Sequence, residues 1–170
     1  MIRIISALAL MLISVILISA QIKSVYTSLD EKHCKSVKGD PKEKNVIYNG
    51  VCPGVGSYKL KIAASEEHQW IGLVAPSGKE FFVGTQSASY NFLGKKAEWR
   101  VRNGRPLALI VRYNLMNPEA DKVGTSLLVV SKVSRTKTCV TDIVDPSKTQ
   151  NEQARKLADS AGSRPCRPGE

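Results

Sequence analysis

The segment Lys96-Ala-Glu-Trp-Arg-Val-Arg-Asn-Gly-Arg-Pro-Leu-Ala-Leu-Ile-Val111 decides the fold. Ala97, Trp99 and Val101 alternate with Glu98, Arg100 and Arg102, the two-residue period of a strand with one buried face. Asn103-Gly104 then supplies the strongest short hairpin signal, and an apolar run from Leu107 to Val111 returns. A two-residue turn sets Arg102 opposite Arg105 and Trp99 opposite Ala108. A four-residue turn sets Arg102 opposite Leu107 and Trp99 opposite Ile110. Both registers put Trp99 and Val101 on the face of Ala108 and Ile110, with Arg100 and Arg102 on the face of Leu107 and Leu109. Because the returning run is apolar on both sides, it reads as an interior strand with a packed layer over each face.

Outward from this hairpin the same reasoning finds more strands. Tyr58, Leu60 and Ile62 alternate with Ser57, Lys59 and Lys61. The run Trp70 to Val74 breaks at Ala75-Pro76-Ser77-Gly78 before Phe81, Phe82 and Val83, which is a second hairpin pattern. Leu127 to Val130 and Val140 to Val144 complete the strands, with a polar loop over 116–124 containing Asn117-Pro118. After Asp145-Pro146 the period becomes 3.6, since Ala154, Leu157, Ala158 and Ala161 form one stripe. Ser147 with Gln150, or Asn151 alone, is the expected cap, and Gly162 the expected end. The fold expected is mainly β: an antiparallel sandwich or barrel-like sheet with one C-terminal helix over about 149–161, its small stripe lying over the second apolar face.

The chain's first residues bear on its compartment. Met1 to Ala20 carries Arg3 and then an apolar run from Ile4 to Ile18, the order of an export signal with Ala20 before the cleavage point. An uncleaved N-terminal anchor is the alternative, because the run is long for a removable segment. Either way the expected location is periplasmic or secreted. Residues 21–45 are polar, with lysines at 32, 35, 38, 42 and 44 and a Gly39-Asp40-Pro41 turn, and read as an irregular arm. Residues 46–170 read as one β-rich domain. Four cysteines, with no Cys-x-x-Cys spacing, agree with an oxidising compartment. Of three pairings the local one is preferred, Cys34 with Cys52 and Cys139 with Cys166, each closing a short segment beside a chain end.

Chemistry-bearing patterns are sparse. His33 and His68 lack partners at metal-ligand spacing, no Gly-x-Ser-x-Gly is present, and Gly54-Val-Gly-Ser57 leads into a strand and not the helix N-terminus that cradles phosphate. Glu66, Glu67, Glu98, Glu119 and Asp121 offer no defined carboxylate pair. No cofactor or metal is implied. The net charge of +10 favours acidic partners. From Lys95 to Arg112 six basic residues face the single acid Glu98, so Lys96, Arg100, Arg102, Arg105 and Arg112 are the candidate ligand-binding residues. Arg100, Arg102 and Arg105 are expected to converge near the hairpin tip on a carboxylate, sulfate or phosphate. The competing reading is a solvated face whose arginine stems cover apolar surface.

Several segments, Tyr26-Thr-Ser-Leu-Asp30 before Cys34, Cys52-Pro-Gly-Val55 with Tyr58, Ala97-Glu-Trp-Arg-Val-Arg102 and Asn151-Glu-Gln-Ala-Arg155, resemble an uncharacterised group of small secreted bacterial proteins. That resemblance implies an envelope location and transfers no activity. Gly56-Ser57-Tyr58 at a strand start is faintly similar to the periplasmic lysozyme inhibitors, small disulfide-bearing β-domains. Those use a longer Ser/Gly/Tyr loop and often meet a basic enzyme, whereas this chain is itself basic. The expected function is a non-catalytic binding or inhibitor module of the envelope that meets an anionic ligand or acidic protein. Nucleic acid is disfavoured by export, and membrane contact is confined to the N-terminal segment if uncleaved. The alternatives are a cell-wall hydrolase with an unrecognised acid site and a structural envelope component held by its N-terminus.

Overall fold

The strands within each sheet of this chain pair antiparallel, and a computed structural model describes residues 21–39, 45–85, 90–117, 119–120 and 122–169. The leader expected over residues 1–20 lies outside the described residues. In chain order the strands are β1 (Lys23–Ser28), β2 (Lys35–Ser36), β3 (Tyr48–Pro53), β4 (Lys59–Ala64) and β5 (Gln69–Val74). They continue with β6 (Glu80–Phe82), β7 (Asn91–Arg102), β8 (Arg105–Asn117), β9 (Lys122–Lys132) and β10 (Cys139–Val144), and the helix α1 spans Gln150–Asp159. One sheet has the order β1-β7-β8-β9-β10 and the other β2-β3-β4-β5-β6. The sheets stay open, so of the two expected architectures the sandwich is the one formed, with no closed barrel.

Two apolar layers result. Leu60, Ile62, Ile71, Leu73 and Val83 pack against Trp99, Val101, Leu109, Val111, Tyr113 and Val140 between the sheets. On the opposite face of the first sheet, Ala108, Ile110, Leu128 and Val130 pack against Ala154, Ala158 and Ala161. The expected interior strand is therefore β8, covered on one side by the other sheet and on the other by α1. Trp99 is fully buried, and its indole N–H donates to Thr27 Oγ1 at 2.8 Å.

The hairpin turn is Asn103-Gly104, both with positive φ (51° and 74°), as a two-residue type I′ turn requires. Arg102 stands opposite Arg105 as the shorter register expects, but the expected sharing of faces is corrected. Val101 pairs with Pro106 and Arg100 with Ala108, so Leu107 is an unpaired bulge residue. One extra residue reverses parity beyond it. Trp99 consequently pairs with Leu109 and faces the sheet-to-sheet core, while Arg100 shares the helix-covered face with Ala108 and Ile110.

Three smaller expectations also change. The arm over 21–45 is not irregular throughout, because β1 pairs along β7 with Val25 opposite Trp99, a polar sequence serving as an edge strand. The loop over 116–124 is shorter than its polarity implies, since β8 runs to Asn117 and β9 starts at Lys122. Thr149 flanks the start of α1 without a side-chain cap bond, and Gln150 instead donates to the carbonyls of Ser126 and Val144. The helix ends at Asp159 and passes into a 3-10 turn over Ala161–Ser163.

Both disulfides follow the local pairing. Cys34–Cys52 ties the segment after β1 to β3, and Cys139–Cys166 ties the tail after α1 to β10. Such bonds persist in an oxidising, non-cytoplasmic compartment. No helix among the described residues is long and apolar enough to cross a membrane. Replacing Cys139 and Cys166 together with alanine is expected to lower the unfolding free energy by about 2–4 kcal/mol in chemical denaturation. An unchanged denaturation midpoint would show that the tail is not stapled.

Candidate functional site

The five basic residues expected to act together are divided by the backbone. Arg100 lies on the helix side of β7, its side chain 10% exposed. Its Nε and Nη2 donate to Asp159 at 2.6 and 2.9 Å, and Nη1 donates to Ser24 Oγ. Arg112, on the same side of β8, donates to Ser126 Oγ at 2.6 Å, Gln150 Oε1 at 3.0 Å and Asn151 Oδ1 at 3.0 Å. Both arginines therefore bind the helix to the sheet, and their donors are engaged within the protein. The expected convergence of Arg100 with Arg102 and Arg105 is not formed.

Lys96 is exposed but lies six positions before Arg102 along β7, roughly 20 Å at strand rise. Arg102 and Arg105 remain at the tip, exposed, paired across the turn and without an ion pair among the described residues. These two are what survives of the expected cluster.

Other turns join them. A concavity of 330 Å³ is lined by Gly56, Pro76, Gly104, Arg105, Ser134 and Arg135, together with Tyr58, Pro106 and Val133. Four reverse turns thus meet at one end of the sandwich: β3–β4, β5–β6, β7–β8 and β9–β10. A Cβ on Gly56, whose φ is +59°, would come within 3.3 Å of Pro106 and 3.6 Å of the Gly104 carbonyl, so two of the turns touch. Counting the strand residues that flank them, these four turns carry Lys59, Lys79, Arg102, Arg105, Lys132, Arg135 and Lys137 against one acid, Glu80, which is paired with Lys61. Arg135 and Lys137 were missed because they lie far along the chain. The signal was available, since in an antiparallel meander every second turn falls at the same end, which places the turn after β9 beside the turn after β7.

Around Arg100 on the helix side the charges are compensated. Glu98 accepts from Arg155 Nε at 2.7 Å and from Ser24, and Arg100 approaches it at 3.9 Å. Burial by itself would raise the Glu98 carboxyl; hydrogen bonds from Arg155 and Ser24 and the charge of Arg155 outweigh it and hold the group below the ordinary carboxylate range. Arg164 and Asp142 form a further pair beside the Cys139–Cys166 staple. Of the remaining sequence candidates, His33 sits 3.1 Å from Ser28 Oγ, Glu119 is exposed in the β8–β9 turn, and Asp121 lies outside the described residues. Glu66, Glu67 and His68 lie together in the bend before β5, at the end of the sandwich away from the basic turns. Among the described residues no three His, Cys, Asp or Glu side chains are gathered as metal ligands would be.

With the geometry in hand, comparison with family models, curated proteins and solved structures returns no match for this chain. Function is therefore argued from the site alone.

The lowered Glu98 carboxyl has a pH signature. A group whose folded value lies below its unfolded value stabilises the fold above the unfolded value, and that contribution is lost as pH falls through the folded one. The stability difference between the native protein and Glu98→Gln is expected to be constant from pH 7 to about 5 and to shrink below about 4. A difference independent of pH down to about 2 would exclude the pairing.

Proposed function

We propose that this protein is a non-catalytic binding or inhibitor module of the bacterial envelope, periplasmic or secreted, that contacts an anionic ligand or acidic protein through the end of the sandwich where the four turns meet. The observation that carries this reading is the set of five basic residues, Lys79, Arg102, Arg105, Arg135 and Lys137, in and beside turns that enclose a concavity and whose one flanking acid, Glu80, is already paired with Lys61. Arg105 and Arg135 line the hollow from two different turns, so one carboxylate, sulfate or phosphate seated between them meets two guanidinium forks. Rigid strands behind each turn fix the spacing, which reduces the ordering cost of binding.

The compartment supports the same reading. An export-type leader in the sequence and two disulfides in the fold favour an envelope partner over cytosolic nucleic acid. Direct membrane contact is then left to the N-terminal segment where it stays uncleaved.

Net charge and a defined site are separable by experiment. Arg102→Glu, Arg105→Glu and Arg135→Glu combined should elute from a heparin-like resin at much lower salt than the native protein and bind a soluble polyanion at least about tenfold more weakly. The control triple Lys95→Glu, Lys96→Glu and Lys122→Glu carries the same net charge and should keep most of the retention. Equal loss in both triples would mean that only overall charge matters and would reject the turn-end site.

A further inference from the structure

The bend before β5, together with Asn45 and Ile47 before β3, builds a second concavity, of 570 Å³, at the opposite end of the sandwich. Its walls include Ile47, Glu66, Glu67, His68 and Trp70, and Tyr90 stands edge-on to His68 at 6.1 Å. His68 in turn stacks on Trp70 at 5.9 Å, giving a row of three rings beside two carboxylates. Every other concavity described carries lysine or arginine: Lys95 in one, Lys38, Lys59 and Lys61 in another, Arg105 and Arg135 at the basic turns. Among the described residues that line this one there is neither, although the chain carries a net charge of +10.

The walls are held in place by bonds unrelated to any ligand. Ser65 Oγ accepts from the backbone N–H groups of Glu67 and His68 at 3.3 and 3.0 Å, fixing the bend. Asn91, buried, donates its N–H to the Glu67 carbonyl at 3.0 Å and accepts from the Gln69 N–H at 3.3 Å. Gln69 Oε1 accepts from the Leu93 N–H at 2.8 Å. The bend from one sheet and Tyr90 from the other are thereby locked together. The neighbouring Glu67 carboxylate pushes the Tyr90 phenol pKa up.

A rigid hollow with ring faces, two carboxylates and an exposed isoleucine at its rim has the chemistry of a cation site. We propose that it binds an organic ammonium ion on a short apolar stem. The ammonium is held by Glu66 and Glu67 with the ring of Trp70 nearby, and the stem lies along Ile47. The proposal is independent of the anionic contact at the other end, because β5 separates the two by six residues, roughly 20 Å.

The test uses the disulfide-bonded protein and the chain's own fluorophores. Of its two tryptophans Trp99 is fully buried, so a ligand-dependent emission change reports on Trp70. Titration with cadaverine at low ionic strength should change that emission saturably, and 1,5-pentanediol and N-acetylglucosamine, as a neutral isostere and a saccharide, should not. Glu66→Gln with Glu67→Gln, both at exposed positions, should weaken cadaverine binding about tenfold while leaving thermal unfolding unchanged. Calorimetric titration gives a readout that does not depend on Trp70. No saturable cadaverine signal by either method, equal binding of the diol or saccharide, or unchanged affinity in the double glutamine variant would overturn the proposal.

Discussion

The architecture on the helix side of the sandwich depends on one residue that has no partner across the β7–β8 ladder, Leu107. Its insertion into β8 reverses which face each later residue occupies, and so Trp99 enters the core while Arg100 is turned under α1. A guanidinium in that position needs compensation, because burying an unpaired charge is far more costly than burying a paired one. Asp159 from the last turn of the helix and Ser24 from β1 supply it, and Glu98 beside it is held in turn by Arg155. Ala154, Ala158 and Ala161 let the helix approach closely but bury little apolar area each. Helix position is therefore specified by charge-assisted hydrogen bonds around a small-residue seam, and Arg112, Gln150 and Asn151 extend that frame to the helix start.

This division of labour shapes the functional reading. Arginines that alternate along one hairpin look equivalent in the sequence, yet those that face α1 act as fasteners and those at the tip remain available. Once the fasteners are removed from the cluster, Arg102 and Arg105 gain Arg135 and Lys137 from the turn after β9, and the basic surface becomes a property of the sandwich end instead of a single hairpin. At the opposite end Glu66 and Glu67 lie in the bend beside the rings of His68, Trp70 and Tyr90.

Much of the fold was legible from short-range rules. Asn103-Gly104 demanded its turn, the alternation of Leu60 and Ile62 demanded a one-sided strand, and the stripe through Ala154 and Ala158 demanded a helix over the second face of β8. Cys34 with Cys52 and Cys139 with Cys166 were readable because local pairing is compatible with a meander. What escaped has one physical origin. A bulge adds a residue without any compositional mark, so Pro106-Leu107-Ala108 looks like plain strand, and every statement about which face Arg100 or Trp99 occupies inherits the error. β1 escaped for a related reason, since an edge strand needs only one ladder and tolerates the lysines and serines that resemble a loop. The site was half legible: Arg102 and Arg105 by local charge, Arg135 only through topology.

The claim on which this account rests is that Arg100 is a buried fastener while Arg102 and Arg105 face solvent. Proton exchange at the arginine Nε–H groups, resolved by nitrogen-edited NMR and assigned by single arginine-to-lysine substitutions, measures that difference directly. The account predicts that the Nε–H of Arg100, bonded to Asp159 at 2.6 Å, exchanges far more slowly than those of Arg102 and Arg105. Equal, fast exchange at all three would contradict it and would return Arg100 to the exposed cluster.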